Sequence, residues 1–134
     1  MKKLNSTSEF SSHRSEVLLN NFRKALAVQS VISAKRAFGM AADAPAPRFW
    51  VSEARATAVI SKMMTGVDVT ADMYPEKAEM YREIFSRVVK LREEQPEAPL
   101  GDLVFEVVND PAPKSYLSWQ RAKAIINERK RGRR

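Results

Sequence analysis

Pro45-Ala-Pro-Arg-Phe-Trp-Val-Ser52 returns 66 residues later as Pro111-Ala-Pro-Lys-Ser-Tyr-Leu-Ser118. The likeness runs on to Gly66 and Gly132, and nine of the 22 aligned positions are identical. Trp50/Tyr116, Val51/Leu117, Val59/Ile125 and Arg48/Lys114 are conservative matches. One supersecondary unit is therefore read as used twice. In each copy two prolines end the preceding helix and push the residues before them to extended geometry. A serine then stands where the next helix needs an N-cap.

Working outward, the pattern predicts an all-α protein of about five helices. The first starts near Ser15 and carries Leu18, Leu19, Phe22, Leu26, Val28 and Ile32 at helical spacing, ending near Phe38 with Gly39 close to its end. The second follows Ser52 and stops at Gly66. Tyr74-Pro75 opens a third, with proline at a favoured first position and Glu76 and Glu79 near its positive end. Glu79/Arg82, Glu83/Arg87 and Lys90/Glu93 are spaced to pair on its wet side. Pro96 and Pro99 stop it. Leu100–Val108 is a short fourth helix, and Ser118 caps a fifth that runs to about Arg129. The extended pieces Phe49–Val51 and Ser115–Leu117 are placed to pair as a minimal two-stranded ribbon. The alternative is two similar turns that never meet.

The organisation that follows is a polar arm over residues 1–14, one helical domain over 15–128, and a basic tail over 129–134. The repeat copies lie around residues 38–66 and 104–132 within that domain. The composition, 44% hydrophobic and 29% charged, is that of a globular chain. No apolar run approaches the roughly 20 residues of a membrane span, so no membrane partner is expected. Polar Asn5–Ser12 stands where a signal peptide would need its apolar core. With no cysteine, a disulfide framework is excluded, and a reducing, cytoplasmic setting is expected.

The formal charge is +7, and it is segregated. Residues 1–42 carry a net +5, residues 43–66 +1, residues 67–110 −6 and residues 111–134 +7. An acidic middle between basic ends points to a polyanionic partner. The last helix presents Gln120, Lys123, Asn127 and Arg131 at spacings of three and four, with Arg121 and Lys130 beside them. Gln and Asn can bind adenine edges in two places, and Arg and Lys bind guanine edges or phosphates. Such a face alone is what most surface helices show to water. The adjoining cations, ending in Arg133 and Arg134, tip the reading towards phosphate contact. Leu100–Arg131 resembles a helix-turn-helix in outline, with a longer connection than usual.

The first copy lacks that chemistry. Gln120, Lys123, Asn127, Lys130 and Arg131 correspond to Ala54, Thr57, Ser61, Met64 and Thr65, which fits packing or self-association. Trp50 and Tyr116 are expected to pack back on their own helices as staples; base stacking beside Arg48 and Lys114 is the rival role. Catalysis is not expected. His13, the one histidine, falls in the arm, the four glycines are isolated, and no metal or cofactor set is visible. The expected function is a small DNA-binding protein, regulatory or accessory, with DNA favoured over RNA. The alternative is a protein–protein module that self-assembles by acidic-to-basic contact without nucleic acid.

Overall fold

The computed structural model describes residues 10–28 and 33–132. Over that span it is all-helical, with α1 Ser11–Val28, α2 Ala34–Asp43, α3 Glu53–Met64, α4 Pro75–Glu94, α5 Leu100–Val108 and α6 Trp119–Lys130. Six helices stand where about five were expected, because the long first helix is two. The Ser33 hydroxyl accepts the Arg36 amide at 3.1 Å and starts α2 afresh. One unbroken helix would hold Phe22 and Phe38 about 24 Å apart. Their rings instead stack at 4.6 Å. Gly39 consequently lies inside α2, and Leu26 and Val28 are exposed instead of inward.

The start of α1 also differs from expectation. Ser15 is inside the helix, its hydroxyl donating to the Ser12 carbonyl at 3.0 Å. Phe10 and Arg14 are buried, so residues 10–14 belong to the folded unit. The remainder of the expected arm, residues 1–9, lies outside the described residues, as do Arg133 and Arg134.

Two apolar cores organise the helices. Leu18, Leu19, Phe22 and Ala25 of α1 meet Ala37, Phe38, Ala41 and Ala42 of α2 and Ala122, Ile125 and Ile126 of α6. The other core joins Ala56 and Ile60 of α3 to Met80, Tyr81, Ile84 and Val88 of α4 and to Leu103, Val104, Val107 and Val108 of α5. Each is a three-helix bundle, and each borrows a helix from the other half of the chain. Apolar residues three and four apart give every helix one stripe to bury in this way. Burying a side chain such as Ile60 or Ile126 contributes roughly 1.5–3 kcal/mol.

The chain crosses between the bundles at the two Pro-Ala-Pro segments. Ala46 and Ala112 form an isolated antiparallel bridge. The Phe49 amide donates to the Val108 carbonyl at 3.0 Å, and the Ser115 amide to the Ala42 carbonyl at 2.8 Å. Each residue in these pairs is 66 positions from a member of the other pair. The same offset relates Ala34 to Leu100 as first residues of α2 and α5, and Glu53–Met64 to Trp119–Lys130.

The possible ribbon between Phe49–Val51 and Ser115–Leu117 is not formed, and no strand occurs among the described residues. The amides of these segments are used elsewhere, Phe49 on the Val108 carbonyl, Val51 on the Phe49 carbonyl and Ser115 on the Ala42 carbonyl, and the prolines confine the neighbouring Pro-Ala-Pro contact to one rung. Pro45, Pro47, Pro111 and Pro113 have no N–H, so only the alanine between each pair can donate and the ladder stops at one rung.

Candidate nucleic-acid interface

Ser118 opens α6, its hydroxyl accepting the Arg121 amide at 3.1 Å. Ala122, Ile125 and Ile126 bury one side against α1 and α2. What remains outside is set by helical geometry. Gln120, Lys123, Lys130 and Arg131 are exposed and Asn127 is half-buried. Arg121 is exposed too, but on another flank. It lies nine residues before Lys130, which at 100° per residue puts the two on opposite sides of the helix. The expected residues therefore form a stripe of Gln120, Lys123, Asn127, Lys130 and Arg131. Arg121 faces a cavity that Gln120 also reaches.

Among the described residues no ion pair neutralises the cations of the stripe. Among the described residues the ion pairs are Arg87–Glu83 at 2.8 Å and Lys114–Glu79 at 3.3 Å. Neither uses Arg121, Lys123, Lys130 or Arg131. Among the described residues the acidic segment thus engages Lys114, near the chain crossing, and makes no ion pair with the α6 cations. Of the pairs expected along α4, Glu83–Arg87 forms, Glu79 turns to Lys114, and Arg82 donates to the Thr70 hydroxyl at 3.4 Å.

Two cations that the sequence reading missed join this surface. Lys35 and Arg36 are exposed at the start of α2. Lys35 Nζ sits 5.4 Å from the centre of the Trp119 ring, one turn before Lys123. On the far end of the stripe, Lys130 Nζ lies 5.6 Å from the Phe22 ring of α1. The bundle as a whole is basic: α1, α2 and α6 carry nine Lys/Arg against three Asp/Glu. Helices α3, α4 and α5 carry seven against eight. The cap signal of Ser33 before Lys35-Arg36 was available in the sequence. Which helix lay beside them was not.

The helix-turn-helix outline does not hold. Helix α5 packs on α3 and α4 and does not pack on α6. Residues 109–118 carry the chain from one core to the other instead of turning it back. Trp50 and Tyr116 pack inward. Trp50 is buried, donates from Nε1 to the Ser115 hydroxyl at 3.0 Å, and meets His13 edge-on at 5.3 Å. Tyr116 is equally enclosed, and burial pushes its hydroxyl up to about 12. Both rings are largely enclosed, and His13 packs on the fold instead of lying in a loose arm.

On α3 the corresponding outer positions, Ala54, Thr57, Ser61, Met64 and Thr65, carry no charge. Among the described residues no three His, Asp or Glu side chains converge to hold a metal ion. No described helix is long and apolar enough to cross a membrane. No protein-family model matches the chain, and no curated protein or solved structure matches it significantly.

Proposed function

We propose that this chain is a non-catalytic nucleic-acid-binding protein with a regulatory or accessory role, acting on duplex DNA in preference to RNA. The observation that carries the reading is the exposed α6 stripe, whose cations Lys123, Lys130 and Arg131 have no ion-pair partner among the described residues. Lys35 and Arg36 extend it across α2. Cations held in this way release counterions when they meet phosphates, which gives sequence-independent, salt-sensitive affinity. Gln120 and Asn127 sit between them with amides able to reach base edges. A helix of 12 residues is about 18 Å long, and a groove about 12 Å wide admits it. Arg133 and Arg134 would add phosphate contacts.

The test is fluorescence anisotropy of the purified protein with a mixed-sequence DNA duplex, the matching single strand and an RNA duplex, across a salt series. Micromolar or tighter affinity for the DNA duplex, falling steeply with salt, supports the reading. The same affinity at low and high salt overturns it. Absence of binding at low salt also overturns it and leaves the self-assembling protein–protein module as the better account.

A further inference from the structure

A cavity of about 660 Å³ opens between the start of α1, the start of α4 and the segment leading into α6. That volume is in the range that encloses a small organic ligand. Phe10, Trp50, Met80 and Tyr116 supply apolar and aromatic wall. Tyr116 is held at φ 58°, a left-handed backbone that large side chains avoid, and it lines the cavity. Tyr74, 82% exposed, stands at the mouth.

The charged lining is unbalanced. Arg14, Lys77 and Arg121 face the cavity with Glu76 as the one carboxylate. Arg14 is only 8% exposed. Among the described residues its buried Nε has no hydrogen-bond partner and no ion pair reaches its guanidinium. Its one close contact of note is the Phe10 ring, 5.5 Å away. Burial first, and the Arg121 charge second, hold Arg14 down at about 10. Two cations thus feel each other at the edge of a largely apolar space. Native structures satisfy buried polar atoms almost without exception, and an unpaired buried charge is the costliest case. The missing acceptor is the clue.

We infer that this cavity binds a small organic anion, a carboxylate or phosphate monoester carried on a planar aromatic body. The oxyanion sits on Arg14 and Arg121, and the ring lies among Trp50, Tyr116 and Phe10. The planar guanidinium fork matches both oxyanions in bidentate geometry. The aromatic walls bury the body of such a ligand. This site is distinct from the Lys123 stripe and does not depend on the nucleic-acid reading.

The experiment titrates the full chain with 2-naphthoate, 1-naphthyl phosphate, inorganic phosphate and uncharged 2-naphthol. The readout is the indole N–H resonance of Trp50, the tryptophan that lines this cavity. Saturable shifts with one or both naphthyl anions, at least tenfold weaker with 2-naphthol and inorganic phosphate, are expected. The naphthoate and naphthyl phosphate arms distinguish carboxylate from phosphate. R14M is expected to weaken the anion at least tenfold, and K123E to leave it unchanged. The inference is overturned if neither naphthyl anion shifts Trp50, if 2-naphthol binds as well, or if R14M binds like the parent. A loss of thermal stability in E9Q without anion binding likewise overturns it, by making an acid of the chain itself the counterion.

Discussion

Ala46 and Ala112 exchange both of their backbone hydrogen bonds, at 2.9 and 2.8 Å, across the point where the two Pro-Ala-Pro segments cross. Both residues are 3% exposed, so these bonds have no water to replace them. On either side of this crossing α3 packs with α4 and α5, and α6 with α1 and α2.

Ala112→Pro is therefore expected to destabilise the protein by about 1–3 kcal/mol, the cost of orphaning a buried backbone acceptor, with any clash of the ring added. Ala46→Pro should match it. Chemical denaturation of both variants, beside the exposed substitution Ala124→Ser as a control, measures the effect. Unchanged midpoints would mean that the bridge is incidental.

Lys35 and Arg36 should matter to duplex binding as much as Lys123 does. K35E and R36E together are expected to weaken binding at least tenfold and to lower the salt slope by about one unit for each phosphate they no longer neutralise. The pair K62E and R55E on the other bundle should do far less. Anisotropy against one duplex at several salt concentrations separates the two surfaces.

Arg14→Met should leave the protein folded and raise its stability, by roughly 1–3 kcal/mol, since a buried unpaired cation is replaced by an apolar chain of similar reach. Differential scanning calorimetry without added anions gives the sign. A lower melting temperature would show that Arg14 has a partner in the free protein.

Glu53 ties the start of α3 to the end of α5. Asn109 Nδ2 donates to its carboxylate at 3.1 Å. That bond, with smaller help from the backbone and Arg48 and against a burial penalty, holds Glu53 below the usual carboxylate range. A carboxyl depressed on folding adds stability above its unfolded value, near 4.5, and loses it as pH falls through the folded value. The group is largely exposed, so the effect is a few tenths of a kcal/mol after screening. Asn109→Ala should move the Glu53 titration upward in an NMR pH series and flatten the loss of stability below pH 4.5.

Several elements were legible because their causes are local. Ser52 and Ser118 cap α3 and α6 through their own side chains, and Pro75 opens α4 where a proline suits the first turn. The inward faces of α5 and α6 follow from spacing alone. The break between α1 and α2 was missed because Leu26, Val28 and Ile32 continue a helical apolar pattern across it. Leu26 and Val28 are exposed, so that pattern did not report a buried face. For the candidate interface, exposure of Gln120, Lys123 and Arg131 could be anticipated from helical spacing. The separation of Arg121, and the arrival of Lys35 and Arg36, could not.

Side-chain and backbone chemistry within a few residues determined where α3, α4 and α6 start and which sides of α5 and α6 turn inward, and that much is written in the sequence. Tertiary structure decided which helices share a core. The apolar faces of α3 and α6 carry Ala56 and Ile60, and Ala122 and Ile126, at the same places, so neither face names its bundle. The packing of the two cores, crossed over at the single rung of Ala46 and Ala112, makes that choice through contacts far apart in the chain. In doing so it gathers the basic helices α1, α2 and α6 on one body and leaves the nearly balanced helices α3, α4 and α5 on the other.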